Sequence, residues 1–192
     1  MTTLTTERLV IRNFTVDDAP ALREIILQYQ ASEYAVYDHA WPTSVDEIRG
    51  VAEWFASGDT FLAVCLRERG KLIGYVRLHP VEEVGAQDHQ PCQVCGLGYC
   101  FNFDFHGRGY ATEACRAALG RAFDELGADR VTAGTAAANA PSCSLLARLG
   151  FRRAGEHPAS FRTNPDGTPI EFLAYSFALG RADWIGASAH AE

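Results

Sequence analysis

The stretch Phe101–Gly120, FNFDFHGRGYATEACRAALG, decides how the chain is read. It passes from an aromatic segment through Gly107 and Gly109 into a run with helical period. Cys115, Ala118, Leu119, Ala122, Phe123 and Leu126 recur at the spacing of one helical face, and Gly127 suits the C-terminal cap. The first turn of a helix leaves backbone N–H groups unpaired, and the aligned peptide dipoles add partial positive charge there. Glycines let a phosphate approach those donors, and Arg108 adds charge from outside. A strand-to-helix turn that needs only positive φ at glycine has the same spacing, so both readings stand at this point. Two nucleotide motifs are excluded. No Gly-x-x-x-x-Gly-Lys-Ser/Thr run occurs, and Thr112 stands in GRGYAT where a dinucleotide fingerprint needs Gly or Ala. The next strand, in VTAGTAAAN, also lacks the acidic residue such a fingerprint requires.

Outward from this stretch, the spacing predicts a first strand in ERLVIRNF and a helix in TVDDAPALREIILQYQ. Thr15 with Asp18 resembles an acidic capping box, and Ser44 with Glu47 marks a second helix start before Ile48, Val51, Ala52 and Phe55. TFLAVCLRE and KLIGYVRLHP read as a hairpin about Arg69-Gly70, followed by a polar loop from Val81 to Gln93 and the strand CGLGYCFNF. After the glycine helix come a strand in RVTAGTAAAN and a short helix in APSCSLLARLG. Pro141 fits the first turn of that helix and Gly150 its end. FRRAGEH and EFLAYSFAL close the series as paired strands around NPDG. The result is a single mixed α/β (α+β) domain over residues 1–192. The connection at 31–43 carries Tyr34, Tyr37, His39 and Trp41, which either pack on the core or wall a substrate pocket.

The composition is that of an ordinary globular protein, with 47% hydrophobic and 21% charged residues. A net charge of -7 lacks the basic footprint of a nucleic-acid binder. Met1–Arg12 has no apolar segment of the signal-peptide kind, and FLAVCL is too short for a bilayer span. A cytoplasmic protein with free thiols, no membrane partner and no nucleic-acid partner is expected. Cys92 and Cys95 form a C-x-x-C with His89 upstream, but no second pair completes a zinc site, so no metal is expected. A zinc-stabilised interaction domain is the reading that a metal at these cysteines would favour.

HGRGYATEA resembles the acyl-CoA pyrophosphate loop of the GNAT N-acetyltransferases, whose pattern is Arg/Gln-x-x-Gly-x-Gly/Ala. Gly109 and Ala111 match, while His106 departs from the Arg/Gln place, where many members of the ribosomal-protein-alanine (RimJ/RimL-like) branch also depart. TERLVIR at 6–12, LGYCFNFDFHGRGYATEA, and NAPSCSLLARLGF at 139–151 resemble that branch in the same order and span nearly the whole chain. The resemblance implies a GNAT-like mixed, splayed, mostly antiparallel sheet flanked by helices, with acetyl-CoA (coenzyme A) as cosubstrate in the gap between two central strands. It implies backbone contacts from Phe101 and Phe103 to the pantetheine arm. It further implies that N–H groups of Gly107, Arg108, Gly109, Tyr110 and Ala111 hold the pyrophosphate, and that Asn139 contacts the pantetheine or the thioester side. Dimers are common among similar proteins, so a homodimer is one expected state.

Acetyl transfer to an amine needs a proton removed from an ammonium, an oxyanion stabilised and a leaving thiolate protonated. The splayed strand that the resemblance implies would let backbone N–H groups near Phe101 polarise the carbonyl. Glu82 in RLHPVEEVG falls where the resembling enzymes carry a catalytic glutamate, with His79 and Glu83 as neighbours, and solvated loop charge as the alternative. Ser142 matches the serine of the Asn-x-x-Ser pattern as the acid, or caps its own helix. Cys143 lacks a paired histidine in a matching segment, so direct transfer in a ternary complex is favoured over an acyl-cysteine. The expected acceptor is an amine-bearing small molecule or a peptide or protein N-terminus. A non-catalytic acyl-CoA-binding sensor or regulatory module would keep the glycine loop and spare Glu82 and Ser142.

Overall fold

The computed structural model describes residues 2–81 and 93–188. The described strands form one sheet: β1 (Thr3–Thr5), β2 (Leu9–Asn13), β3 (Phe61–Leu66), β4 (Leu72–Val81), β5 (Val94–Phe101), β6 (Arg130–Ala136), β7 (Arg152–Thr163) and β8 (Pro169–Gly180). Their spatial order is β1-β2-β3-β4-β5-β6-β8-β7, and every neighbouring pair is antiparallel except β5 and β6. The helices are α1 (Ala19–Gln30), α2 (Val45–Ala56), α3 (Tyr110–Gly120), α4 (Ala140–Arg148) and α5 (Arg181–Ser188). This is the mixed, mostly antiparallel sheet expected from the sequence.

The apolar run of β3 separates the two halves of the core. Leu62 and Val64 point into the layer built with α3, which also holds Leu9, Ile11, Ala118 and Leu119. Phe61, Ala63 and Cys65 point to the other face, against Leu22, Ile25 and Ile26 of α1 and Ile48, Ala52 and Phe55 of α2. A strand covered on both faces needs apolar residues at every position, which is why FLAVCL does not alternate. Phe55 stacks on Phe61 with centroids 3.8 Å apart and planes 7° from parallel, locking α2 to the sheet. Both predicted helix starts carry local caps. Thr15 donates its backbone N–H to Asp18 Oδ2 at 2.8 Å, and Ser44 Oγ accepts the Glu47 N–H at 3.4 Å.

Three features differ from the sequence expectation. A short strand, β1, pairs with β2, and a further helix, α5, follows β8. The helix beginning at Tyr110 changes to wider, π-type winding over Arg121–Glu125 before Gly127 (φ 71) ends it. Buried Arg121 sits within that wider turn and reaches out to Asp59 Oδ2 at 2.5 Å.

The feature that positions the site lies between β5 and β6. They pair only through Val94 with Arg130, Cys95 with Val131 and Gly96 with Thr132. Beyond Gly96 the two strands part, forming a fork whose arms are Leu97–Phe101 and Ala133–Ala136. One arm leads to the start of α3 and the other to the start of α4, so two helix N-termini stand at its mouth. The carboxyl ends of strands are where open α/β sheets receive ligands.

Candidate active site

The glycine turn at the fork's mouth has the backbone that its sequence calls for. Gly107 and Gly109 adopt φ of 72° and 80°, in the left-handed region that side chains disfavour. Gly109 is the N-cap residue of α3, and it has no side chain to occupy the first-turn N–H groups. A Cβ at Gly107 would meet nothing within 4 Å. The turn is open in front and anchored from behind by Arg8. That guanidinium donates to the Arg108 carbonyl at 2.9 Å and to Glu113 Oε2 at 2.7 Å, and lies over the Tyr110 ring at 4.6 Å. Glu113 Oε1 also accepts from the Thr6 hydroxyl at 2.6 Å and the Arg8 backbone N–H at 2.9 Å. Burial works to raise the Glu113 pKa, but these bonds from Thr6 and Arg8 more than reverse it and hold the carboxyl below its ordinary value.

His106, in the Arg/Gln place of the loop pattern, is exposed, with Nε2 3.1 Å from the Phe101 carbonyl oxygen. Phe103 follows β5 in a 3-10 turn; its N–H donates to Gln28 Oε1 at 2.8 Å and its carbonyl accepts from the His106 N–H at 3.1 Å. Asn102 donates its backbone N–H to Ile73 in β4. Strand backbone alternates, so the N–H and C=O groups of Phe101, Tyr99 and Leu97 are directed to the fork side.

At the other arm, Asn139 caps α4, with Oδ1 accepting the Ser142 N–H at 3.2 Å. The sequence left Ser142 as either cap or reactive hydroxyl. The cap is Asn139, and the Ser142 Oγ lies 2.8 Å from the Tyr99 hydroxyl oxygen. Sequence reasoning placed Tyr99 only within a strand; alternation puts it with Leu97 and Phe101 on the α3–α4 face, but its partner lies 43 residues away. Burial raises the Cys143 thiol above its ordinary pKa, so it stays protonated.

On the opposite face, α1 and α2 cover Phe61, Ala63, Cys65 and Leu72 of β3 and β4, and a groove of about 400 Å³ opens beside them. It is lined by His79 and Val81 of β4, Gly96 and Leu97 of β5, Arg130, Thr132, Ala133 and Gly134 of β6, Ala154 of β7, and Ser176, Phe177 and Ala178 of β8. The His79 ring lies over Gly96, where a Cβ would overlap it. Burial, then the charge of Arg77, lower the His79 pKa, so the ring is neutral at pH 7. Of the aromatic connection, Trp41 packs in the α1–α2 core. Tyr37 and His39 meet Phe172 and Phe161 of the β7–β8 arm at 5.1 and 4.7 Å. Arg162 ties the two segments, donating to the Asp38 carbonyl at 2.8 Å and to Gln30 Oε1 at 2.9 Å.

Glu82, Glu83, His89 and Cys92 lie outside the described residues. Among the described residues no group of three or more His, Cys, Asp or Glu side chains is arranged to hold a metal ion. No described helix is long and apolar enough to cross a membrane.

Comparison with known proteins agrees with this geometry. Residues 8–152 match the profile described as "Acetyltransferase (GNAT) domain". The chain is 28% identical over 187 residues to the Bacillus subtilis protein named "Putative ribosomal N-acetyltransferase YdaF", covering 94% of this chain and 95% of that one. The fold is similar to an acetyltransferase of the GNAT family from Bacillus anthracis, with a TM-score of 0.74 at 23% identity, covering 93% of this chain and 98% of that one. It is also similar to the ribosomal-protein-S5-alanine acetyltransferase of Vibrio fischeri, with a TM-score of 0.71 at 17% identity over 96% of this chain and 99% of that one. With a matched profile that spans the fork, the glycine turn and both helix starts, the chain belongs to the GNAT acetyltransferase family and is an acetyltransferase.

Proposed function

We propose that the protein transfers an acetyl group from acetyl-CoA to a primary amine, on a protein N-terminus or a small molecule, by direct attack with both substrates bound. The observation that carries this reading is the fork between β5 and β6 with the uncapped, glycine-started helix α3 at its mouth. Acetyl-CoA would supply the acetyl group as a thioester. The residues present fit it: Gly107, Arg108, Gly109, Tyr110 and Ala111 offer first-turn N–H groups to a pyrophosphate, as helix N-termini do for anions. Phe101 offers its fork-side N–H to a pantetheine arm, its carbonyl oxygen being held by His106. Phe103 contributes only where Gln28 releases its N–H. Asn139 uses Oδ1 in its cap, which leaves its amide nitrogen to donate toward the fork.

Ser142 is the proposed proton donor to the departing thiolate. Glu82 is the proposed proton acceptor for the incoming ammonium, and His79, neutral and facing the groove, is the acceptor that the described residues support. A protonated Cys143 is a poor nucleophile, which favours direct transfer over an acyl-cysteine. The names of the relatives make a ribosomal-protein N-terminus the first acceptor to try.

The test is free-thiol release from acetyl-CoA across peptides beginning in alanine or serine and a set of small amines that includes polyamines. Turnover with the peptides supports a protein N-terminal acetyltransferase, and turnover with small amines alone supports a metabolic or detoxifying one. Tight acetyl-CoA binding with no acceptor used would overturn the proposal in favour of a non-catalytic acyl-CoA-binding module.

A further inference from the structure

Tyr99 has no role in the reading above, yet it joins the two arms of the fork. It stands beyond Gly96, the last β5 residue paired with β6, and so lies on the parted section of its strand. Its ring packs with the α3–α4 core. Its hydroxyl oxygen is 2.8 Å from Ser142 Oγ and 3.5 Å from the Ser142 carbonyl oxygen. Ser142 belongs to α4, which the other arm feeds, so the contact reaches from one arm to the other. Either hydroxyl can donate across the 2.8 Å contact, and the phenol is the donor in the arrangement that frees the Ser142 hydrogen for a departing sulfur. Burial raises the Tyr99 pKa, which keeps the phenol protonated and able to donate.

A serine hydroxyl otherwise turns freely about its Cβ–Oγ bond. In that arrangement the Ser142 backbone N–H is held by Asn139 and its Oγ accepts from Tyr99, which leaves its own hydroxyl hydrogen to point away from both. We infer that Tyr99 is a positioning residue that aims the Ser142 hydroxyl hydrogen at the sulfur leaving the fork. This deepens the acetyl-transfer reading and rests on it. In the step, the ammonium first gives a proton to the base, and the amine nitrogen then forms the C–N bond. The C–S bond breaks with its electron pair on sulfur, and sulfur takes the Ser142 proton to become a thiol. The new amide sheds its second proton, Ser142 regains one, and the net release is one proton to solvent.

The test uses Tyr99→Phe, Ser142→Ala and the double variant, with an alanine-initiated peptide as acceptor. Three readouts are taken: unfolding free energy without ligand, acetyl-CoA Kd by calorimetry, and kcat separately from KM. Tyr99→Phe is expected to lower kcat about 10-fold, the equivalent of one lost hydrogen bond, with acetyl-CoA Kd unchanged. In the Ser142→Ala background the same change should lower kcat no further, because there is no hydroxyl left to aim. The unfolding free energies should show coupling between the two positions. An active wild type in which Tyr99→Phe leaves kcat intact, or lowers it equally with and without Ser142, overturns the positioning role alone. Absence of coupling in the unfolding cycle overturns the bond itself. A wild type that binds acetyl-CoA and acetylates neither the peptide nor any amine overturns the acetyl-transfer reading, and the inference with it.

Discussion

Two helices begin at the mouth of the fork, and they begin in opposite ways. At α4 the N-cap Asn139 turns its side-chain oxygen onto the Ser142 N–H, so the helix satisfies its own terminus. At α3 the N-cap Gly109 has no side chain, and the first-turn donors face outward. The same pattern separates the surrounding contacts. The α4 start is fixed from within, and through Ser142 it reaches across to Tyr99. The α3 start is fixed from behind, by Arg8 and Glu113, which leaves its front face clear. A helix that exists to be stable closes its N-terminus, whereas one that exists to receive an anion must leave the donors open and find its rigidity elsewhere.

The largest expected effect comes from closing the open terminus. Gly109→Ala and Gly109→Glu share the strain of a side chain at φ 80°, roughly 1–2 kcal/mol. In both variants the new Cβ would lie 3.3 Å from Arg8 Nη2, and only glutamate adds negative charge to the turn proposed to hold the pyrophosphate. Like-charge juxtaposition costs several kcal/mol, so Gly109→Glu should weaken acetyl-CoA binding by about 100-fold or more relative to Gly109→Ala. Calorimetric titration of both variants, with thermal unfolding as a control, separates strain from charge. Equal affinities would remove the anion site from α3.

The closed terminus permits a finer dissection, because Asn139 is proposed to act twice. Asn139→Ala removes both the cap and the amide donor, and loss of the cap should lower stability by about 1 kcal/mol. Asn139→Asp keeps an oxygen for the Ser142 N–H and discards the donor. It should therefore hold stability near wild type and weaken acetyl-CoA binding by roughly 0.5–1.5 kcal/mol, the usual worth of one hydrogen bond. Wild-type affinity in Asn139→Asp would make Asn139 a cap and nothing more.

How much of this contrast was legible in the sequence follows from the range of each interaction. Gly107 and Gly109 before a helix-period run, Ser44 with Glu47, and the unbroken FLAVCL are local signals, and each appears in the structure where its chemistry requires. The family resemblance carried the splayed sheet, but the point of parting at Gly96 is a matter of register, which spacing alone does not encode. The anchors of the two termini are longer in range still. Arg8 meets Glu113 across 105 residues and Tyr99 meets Ser142 across 43, and no periodicity links either pair. Helix α5 was missed because RADWIGAS lacks an apolar face of helical period, and its place after β8 is set by tertiary contact. The candidate base Glu82 was reached through the resemblance and lies outside the described residues.

The smallest expected effect tests the anchor behind the open terminus. Glu113 sits in the first turn of α3, where a carboxylate also complements the helix dipole. Its folded-state pKa is depressed below the ordinary value of 4.5, despite burial, by bonds from Thr6 and Arg8. Folding therefore favours the ionised form. That stability is complete above the unfolded pKa and is lost as pH falls through the folded one. Urea unfolding of wild type between about pH 6 and pH 3 should show stability falling on the acid side of 4.5. Glu113→Gln should flatten that fall while lowering stability at pH 7. A residual slope should remain at lower pH, because the Asp18 carboxyl, though raised by burial, is held below its own ordinary value by Arg12 and Thr15. The contrast between termini sharpens here. If Glu113→Gln also weakens acetyl-CoA binding, the anchor shapes the open donors as well as securing them. If affinity is unmoved and only the acid slope changes, Arg8 alone holds the turn through the Arg108 carbonyl, and Glu113 serves the fold.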